Sequence, residues 1–143
     1  MSDAMAISRS GLDVEWQRLQ VIAQNLANMD TSRTASGDPY RPMRLVSGPD
    51  QSFAAALAQK GASDVPAAVR VMGVEAIPGG VKRVYDPSDP AAGADGFVSL
   101  PDIDQASEMT LMIRASRSYE ANLTALAIER QMFSRALDLG HAS

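Results

Sequence analysis

The sequence contains no cysteine, one histidine and two lysines, and its aromatic residues amount to only 5% of the chain. Without cysteine there is no disulfide and no thiolate metal site, and the chain is indifferent to redox compartment. The histidine, His141, lies two residues from the end of the sequence, with no second histidine or thiol to complete a triad or a transition-metal site. Lys60 and Lys82 stand alone in a chain of net charge −4 and pI near 4.9. A phosphate backbone or an anionic membrane surface needs clustered cations, so nucleic acid is not an expected partner. No apolar run approaches the roughly 18 residues of a membrane span. The start, Met1-Ser-Asp-Ala-Met-Ala, lacks a basic region followed by an apolar run and does not read as a cleaved signal peptide.

What the chain does have is aliphatic: 45% of its 143 residues are hydrophobic, a usual globular share and enough for one domain. With few rings to bury, the core falls to Ala, Leu, Val, Ile and Met. Three zones follow from the patterning: residues 1–30, 31–101 and 102–143. In the first, Leu12, Trp16, Leu19, Ile22, Ala23, Leu26 and Met29 recur at spacings of three and four, which predicts an amphipathic helix. Leu12, Leu19 and Leu26 are seven apart, as in a coiled-coil seam. Asp3 is placed to cap its start, Gly11 weakens its early part, and the helix is expected over Leu12–Ala27.

The last zone carries Met109, Met112, Ile113, Leu123, Leu126, Phe133 and Leu137 on one predicted face, with a heptad row at Met109, Ser116, Leu123, Arg130 and Leu137. Asp102 with Gln105 fits a capping box, and Gly140 is placed to end the helix. About 36 residues of helix would be roughly 54 Å long, more than a 15.2 kDa chain covers with its own mass.

The middle zone holds all eight prolines and eight of the ten glycines. Val69–Ile77 and Val81–Tyr85 read as strands joined through Pro78-Gly79-Gly80 as a hairpin, and Phe97–Leu100 as a third. Phe53–Leu57 reads as a short helix after Asp50. The expected fold is mainly α with a small β-rich middle segment, the terminal helices pairing antiparallel as a coiled-coil-like unit. Apolar stripe left uncovered by that pairing implies a partner.

Candidate chemistry is sparse. Asp86, Asp89 and Asp95 lie in a Pro/Gly-rich loop without EF-hand spacing, where turn formation accounts for them. Gly79-Gly80 lacks a phosphate-loop frame. No cofactor, metal or small-molecule substrate is expected. Asn25 and Asn28 near the end of the first helix, and Ser116–Asn122 within the last, admit two readings each: capping or a solvated face, against hydrogen bonding that fixes register at a subunit seam.

At these residues the sequence resembles a known family. Asn25-Leu-Ala-Asn28, Thr31 and Pro39-Tyr40-Arg41 are similar to the N-terminal motif of bacterial flagellar rod and hook proteins, and Ala115–Asn122 to their C-terminal motif. Val84–Pro90 and Gly96–Pro101 resemble the FlgC-type proximal rod proteins in particular. Asp102 departs from the Asn usual after that Pro, and the tail from Asp138 also differs.

What the resemblance implies is a non-enzymatic structural subunit. It would be exported without a cleaved signal peptide and assembled helically in the periplasmic rod of the basal body to transmit motor torque. Its partners would be other rod proteins, the membrane-ring adaptor and copies of itself. The assembly interface would comprise Leu12, Leu19, Leu26, Leu123, Leu126 and Phe133, with Asn25, Asn28, Tyr119 and Asn122 setting register. A helical adaptor or secretion cargo would share the amphipathic ends but form discrete complexes. A small hydrolase would need a closed pocket around the Asp loop.

Overall fold

A computed structural model of the chain describes residues 3–50 and 68–141. Helix α1 spans Asp3–Ala27, strand β1 Met43–Pro49, β2 Val69–Ala76, β3 Val81–Tyr85, β4 Phe97–Pro101, and helix α2 Gln105–His141. Two long terminal helices thus flank a small β-rich middle, as expected. The proposed Phe53–Leu57 helix lies outside the described residues.

Several local expectations are corrected. Helix α1 begins well before Leu12, because Gly11 is tolerated inside it. Helix α2 starts at Gln105, and its cap is Asp104, not Asp102: the Asp104 Oδ2 accepts from the Ser107 backbone N–H at 3.1 Å and from the Ser107 hydroxyl. Gly140 does not stop α2, which continues to His141. The β2–turn–β3 hairpin is not formed. Instead β2 pairs with β1 and β3 with β4, in two separate two-stranded sheets. Strand β1 is an addition; its Met43-Arg-Leu-Val-Ser-Gly-Pro sequence sits in a Pro/Gly-rich zone with no clear alternation.

The described residues fall into two compact units, and both helices contribute to each. The first comprises 3–17, 47–50, 68–72 and 114–141; the second comprises 18–46 and 73–113. In the first unit the buried apolar residues are Val14, Ala68 and Ala115. The helices run antiparallel there: Ser8 meets Glu129, Gly11 meets Asn122, and Trp16 meets Tyr119. A Cβ on Gly11 would stand 2.8 Å from the Asn122 side-chain nitrogen, so only glycine allows this approach without a shift.

In the second unit Val21, Ile22, Leu45, Val98 and Ile103 form the core. Strands β3 and β4 pair antiparallel, with Val81 opposite Pro101 and Tyr85 opposite Phe97. Alternation sends Val98 inward, at 2% exposure, and Phe97 outward. The Tyr85 and Phe97 rings meet edge-on at 5.2 Å, and the Arg83 guanidinium lies 4.7 Å from the Phe97 ring centroid. Gly96, at φ 76°, brings the chain back into β4 with no room for a Cβ beside the Tyr85 ring.

Candidate assembly interface

The leucine rows read from the sequence are not the most deeply buried rows. On α1 the buried positions are Ser8, Val14, Val21, Ile22 and Asn25, while Leu12, Leu19 and Leu26 are only half-buried. On α2 the inward heptad row is Glu108, Ala115, Asn122 and Glu129, one residue ahead of the expected Met109–Leu137 row. Leu123 is 50% exposed and Phe133 54%, and Leu126 is half-buried. The physical reason is the close approach of the helices. Gly11 and Ala115 let the backbones come near, and polar side chains, not leucines, bridge what remains.

In the first unit the bridge is Ser8, whose hydroxyl donates to Glu129 Oε1 at 3.2 Å. The other carboxylate oxygen of Glu129 is buried without a hydrogen-bond partner among the described residues. Ser10 accepts from the Val69 backbone N–H at 3.1 Å and so ties β2 to α1. Tyr119 is half-buried with its ring 6.3 Å from that of Trp16, and Asn122 sits over Gly11.

In the second unit the organising residue is Asn25, 1% exposed. Its Nδ2 donates to the Met43 carbonyl at 2.8 Å and to Glu108 Oε2 at 3.3 Å. Its Oδ1 accepts from the Tyr40 hydroxyl and from the Met43 backbone N–H, both at 2.9 Å. Two donors and two acceptors satisfy the amide in full. One side chain therefore joins the end of α1, the Tyr40 loop, the start of β1 and the first turn of α2. Burial, and then the nearby Glu108 carboxylate, push the Tyr40 hydroxyl pKa above its usual 10.0.

Asn28 follows the capping alternative. Its Nδ2 donates to the Gln24 carbonyl at 2.9 Å, and its Oδ1 accepts from the Thr31 hydroxyl at 3.2 Å. The Asn-Leu-Ala-Asn…Thr spacing thus serves two jobs within the chain: a buried hub at Asn25 and a helix end at Asn28. Sequence reasoning noticed both residues and the Tyr40 motif. It missed Glu108, which reads only as an acidic residue suited to a helix start, and Ser8, which carries no periodic signal.

The aspartates of the β3–β4 loop are occupied by backbone turns. Asp86 Oδ1 accepts from the Ser88 N–H at 3.1 Å and from its hydroxyl at 2.6 Å; Asp89 accepts from Ala91 N–H at 2.7 Å; Asp95 accepts from Phe97 N–H at 3.3 Å and pairs with Arg83. The bonds from Ser88 hold Asp86, and chiefly that from Phe97 holds Asp95, below the usual carboxylate range. Among the described residues no cluster of three His, Cys, Asp or Glu side chains could hold a metal ion, and no helix is long and apolar enough to cross a membrane.

Outward-facing apolar residues are the dominant feature: Trp16 on α1, and Met109, Ile113, Leu123, Ile128 and Met132 among those on α2. Long terminal helices bridged by polar contacts thus leave these apolar residues outside. Residues 94–139 match the family described as the C-terminal part of the flagellar basal body rod FlgEFG proteins.

Over nearly its full length the chain is similar to curated flagellar basal-body rod proteins FlgC. It is 35% identical to that of Bacillus subtilis (strain 168), covering 96% of each chain. It is 36% identical to that of Salmonella typhimurium, covering 94% and 93%, and 37% identical to that of Aquifex aeolicus, covering 95% and 94%. The chain belongs to the FlgC family of flagellar basal-body rod proteins.

Proposed function

We propose that this chain is a non-enzymatic structural subunit of the flagellar rod, assembling helically with other axial proteins and passing motor torque along the rod. Its partners are other rod proteins, the membrane-ring adaptor and further copies of itself. It works in the periplasmic rod of the basal body. In this reading residues 1–30 and 102–143 form the helical layer through which subunits join, and 31–101 form the β segment beside it.

The observation that carries this reading is the outward placement of the apolar rows. A fully buried leucine contributes about 1.5–3 kcal/mol. Leu12, Leu19 and Leu26 are half-buried within the subunit, whereas Trp16, Leu123 and Phe133 are exposed, and it is the stabilisation of these exposed residues that is left for contact with another chain. Tyr119 and Leu126 lie in the groove beside Leu12 and Trp16, and Asn122 sits against Gly11 between the helices, whereas Asn25 sets register from within the subunit by joining the end of α1 to the first turn of α2, and Asn28 caps the end of α1.

Leu26→Asp puts a carboxylate on this row, where covering it by a neighbour without a partner costs several kcal/mol, on the order of 3 or more. The variant is expected to be produced at normal level and to abolish swimming. Wild-type motility of the Leu26→Asp strain, or absence of the tagged chain from purified basal bodies, would overturn the proposal.

A further inference from the structure

In the second unit the loop between α1 and β1 is braced within itself. The Thr34 N–H donates to the Asp38 carbonyl at 2.8 Å and the Gly37 N–H to the Thr34 carbonyl at 2.9 Å, with Gly37 at φ 90°, so residues 34–38 form a closed turn. The Tyr40 N–H donates to the Thr31 carbonyl at 3.1 Å and closes the loop at its base. Residues 31–40 are therefore a preformed strap. Side chains hold it to α1 at both ends: the Thr31 hydroxyl donates to Asn28 Oδ1, and the Tyr40 hydroxyl to Asn25 Oδ1.

On the other side of the Asn25 amide lies Glu108, 83 positions further along the chain. Its own N–H bonds the Asp104 carbonyl at 3.0 Å and so sets it in the first turn of α2. Its side chain is buried, and the carboxylate takes a hydrogen bond from Asn25 Nδ2. An amide is planar, so its two ends turn together. Turned over, it would set Nδ2 against the Met43 N–H, donor against donor, and Oδ1 against Glu108 and the Met43 carbonyl, acceptor against acceptor. One setting alone therefore serves both the strap and α2. An amide that donates to a carboxylate is also polarised by it, and its oxygen accepts more strongly in turn. The Glu108 charge reaches across the amide: burial first, and then that carboxylate, raise the Tyr40 hydroxyl pKa above 10.0.

We infer that Asn25 is a relay by which the start of α2 latches the 31–40 strap onto the end of α1, so that neither closes at full strength without the other. Coupling through a shared group is reciprocal: whatever α2 adds to closure of the strap, the strap adds to docking of α2. Glu108 belongs to the last of the described elements. A chain made from its N-terminus therefore holds the strap loosely until α2 docks, and the second unit completes its fold in one late step. The inference rests on the fold alone and does not need the rod-subunit reading.

The test is native-state hydrogen exchange, read by NMR on the purified full chain. The amides of Tyr40 and Met43 report the strap, and those of Ser107 and Glu108 the start of α2. The amides of Asp86 and Asp102, bonded to the Gly96 and Gly80 carbonyls, are the internal reference, so a general loss of stability cancels. Glu108→Ala is expected to speed exchange at Tyr40 and Met43 about fivefold or more against that reference, and Tyr40→Phe to do the same at Ser107 and Glu108. Glu108→Gln, whose side-chain oxygen still accepts from Nδ2, is expected to restore most of the strap's protection. The double variant should change either set by less than the product of the single effects. Variants that each speed only their own segment, or whose effects multiply independently, would show two unrelated contacts on one side chain and overturn the inference. So would wild-type strap amides that exchange as fast as in an unfolded chain. Tyr40→Phe removes a single hydroxyl and decides the matter alone if Glu108→Ala does not fold.

Discussion

At the scale of single residues, polar side chains decide this structure more than apolar ones do. Asn25 spends its whole hydrogen-bonding capacity on four groups from four segments. Asn25→Asp keeps the shape and both accepted bonds but loses both donated ones, and it sets a second carboxylate against Glu108. Losing hydrogen bonds to buried groups costs about 1–3 kcal/mol each, so a loss of several kcal/mol is expected. Thermal melts of the variant and the wild type at neutral pH read this directly. A variant as stable as wild type at neutral pH would remove Asn25 from its place as hub.

Asp104 gives a second residue-scale prediction. The Ser107 hydroxyl, and then its backbone N–H, hold the Asp104 carboxyl below the usual aspartate range. A carboxylate whose folded pKa is depressed stabilises the fold above its unfolded pKa, and the contribution disappears as pH falls through the folded value. The first turn of α2 is therefore expected to fray only in strong acid. Asp104→Ala should lower the melting temperature at neutral pH and flatten the acid limb of the stability profile. Hydrogen exchange at the amides of Ser107 and Glu108 reports the fraying locally.

At the scale of elements, the helix pair depends on close approach. Gly11→Val would drive a branched side chain into Asn122 at a crossing where even a Cβ meets its amide at 2.8 Å. Overpacking of that kind costs about 1–3 kcal/mol, and the variant is expected to melt lower and lose the Ser8–Glu129 bond. Gly11→Ala should cost less, since the Asn122 amide can rotate, although helix propensity alone would favour alanine by about 0.5–1 kcal/mol. A melting temperature unchanged by Gly11→Val would mean that the crossing is looser than described.

The same crossing explains why periodicity found the helices but not their inner faces. Hydrophobic spacing marks the rows that want burial, and the Leu12, Leu19 and Leu26 row is correctly apolar. Which row meets the partner helix of the same chain depends on where small residues let two backbones approach, and that is set by Gly11 and Ala115 in combination. Capping at Asp104 instead of Asp102 is a similar near miss. Both aspartates suit a helix start, and the Ser107 side chain chooses between them only once the turn has formed. The β strands over 69–76, 81–85 and 97–101 were legible from residue type, but their pairing was not, because a Pro-Gly-Gly turn permits a hairpin without requiring one.

At the scale of the whole molecule, the chain buries its polar bridges and leaves much of its aliphatic surface outward. A chain meant to remain alone would gain by covering the exposed Leu123, Ile128, Met132 and Phe133 of α2. The chain belongs to the FlgC family of basal-body rod proteins, which implies assembly with other rod components. The Leu26→Asp experiment acts at this scale, since it reads the assembly and not the isolated fold.

The sequence by itself determined the two long terminal helices, the β-rich middle, the absence of cysteine and, through four short motifs in order, the family. These are local or compositional properties, readable from one residue's neighbours along the chain. Only the tertiary structure decided that Asn25 is a buried hub, that Glu108 and Ser8 matter, that β2 turns to β1, and that Leu123 and Phe133 of α2 are exposed. Each of those depends on which distant segments arrive at the same place, and residue spacing carries no record of that.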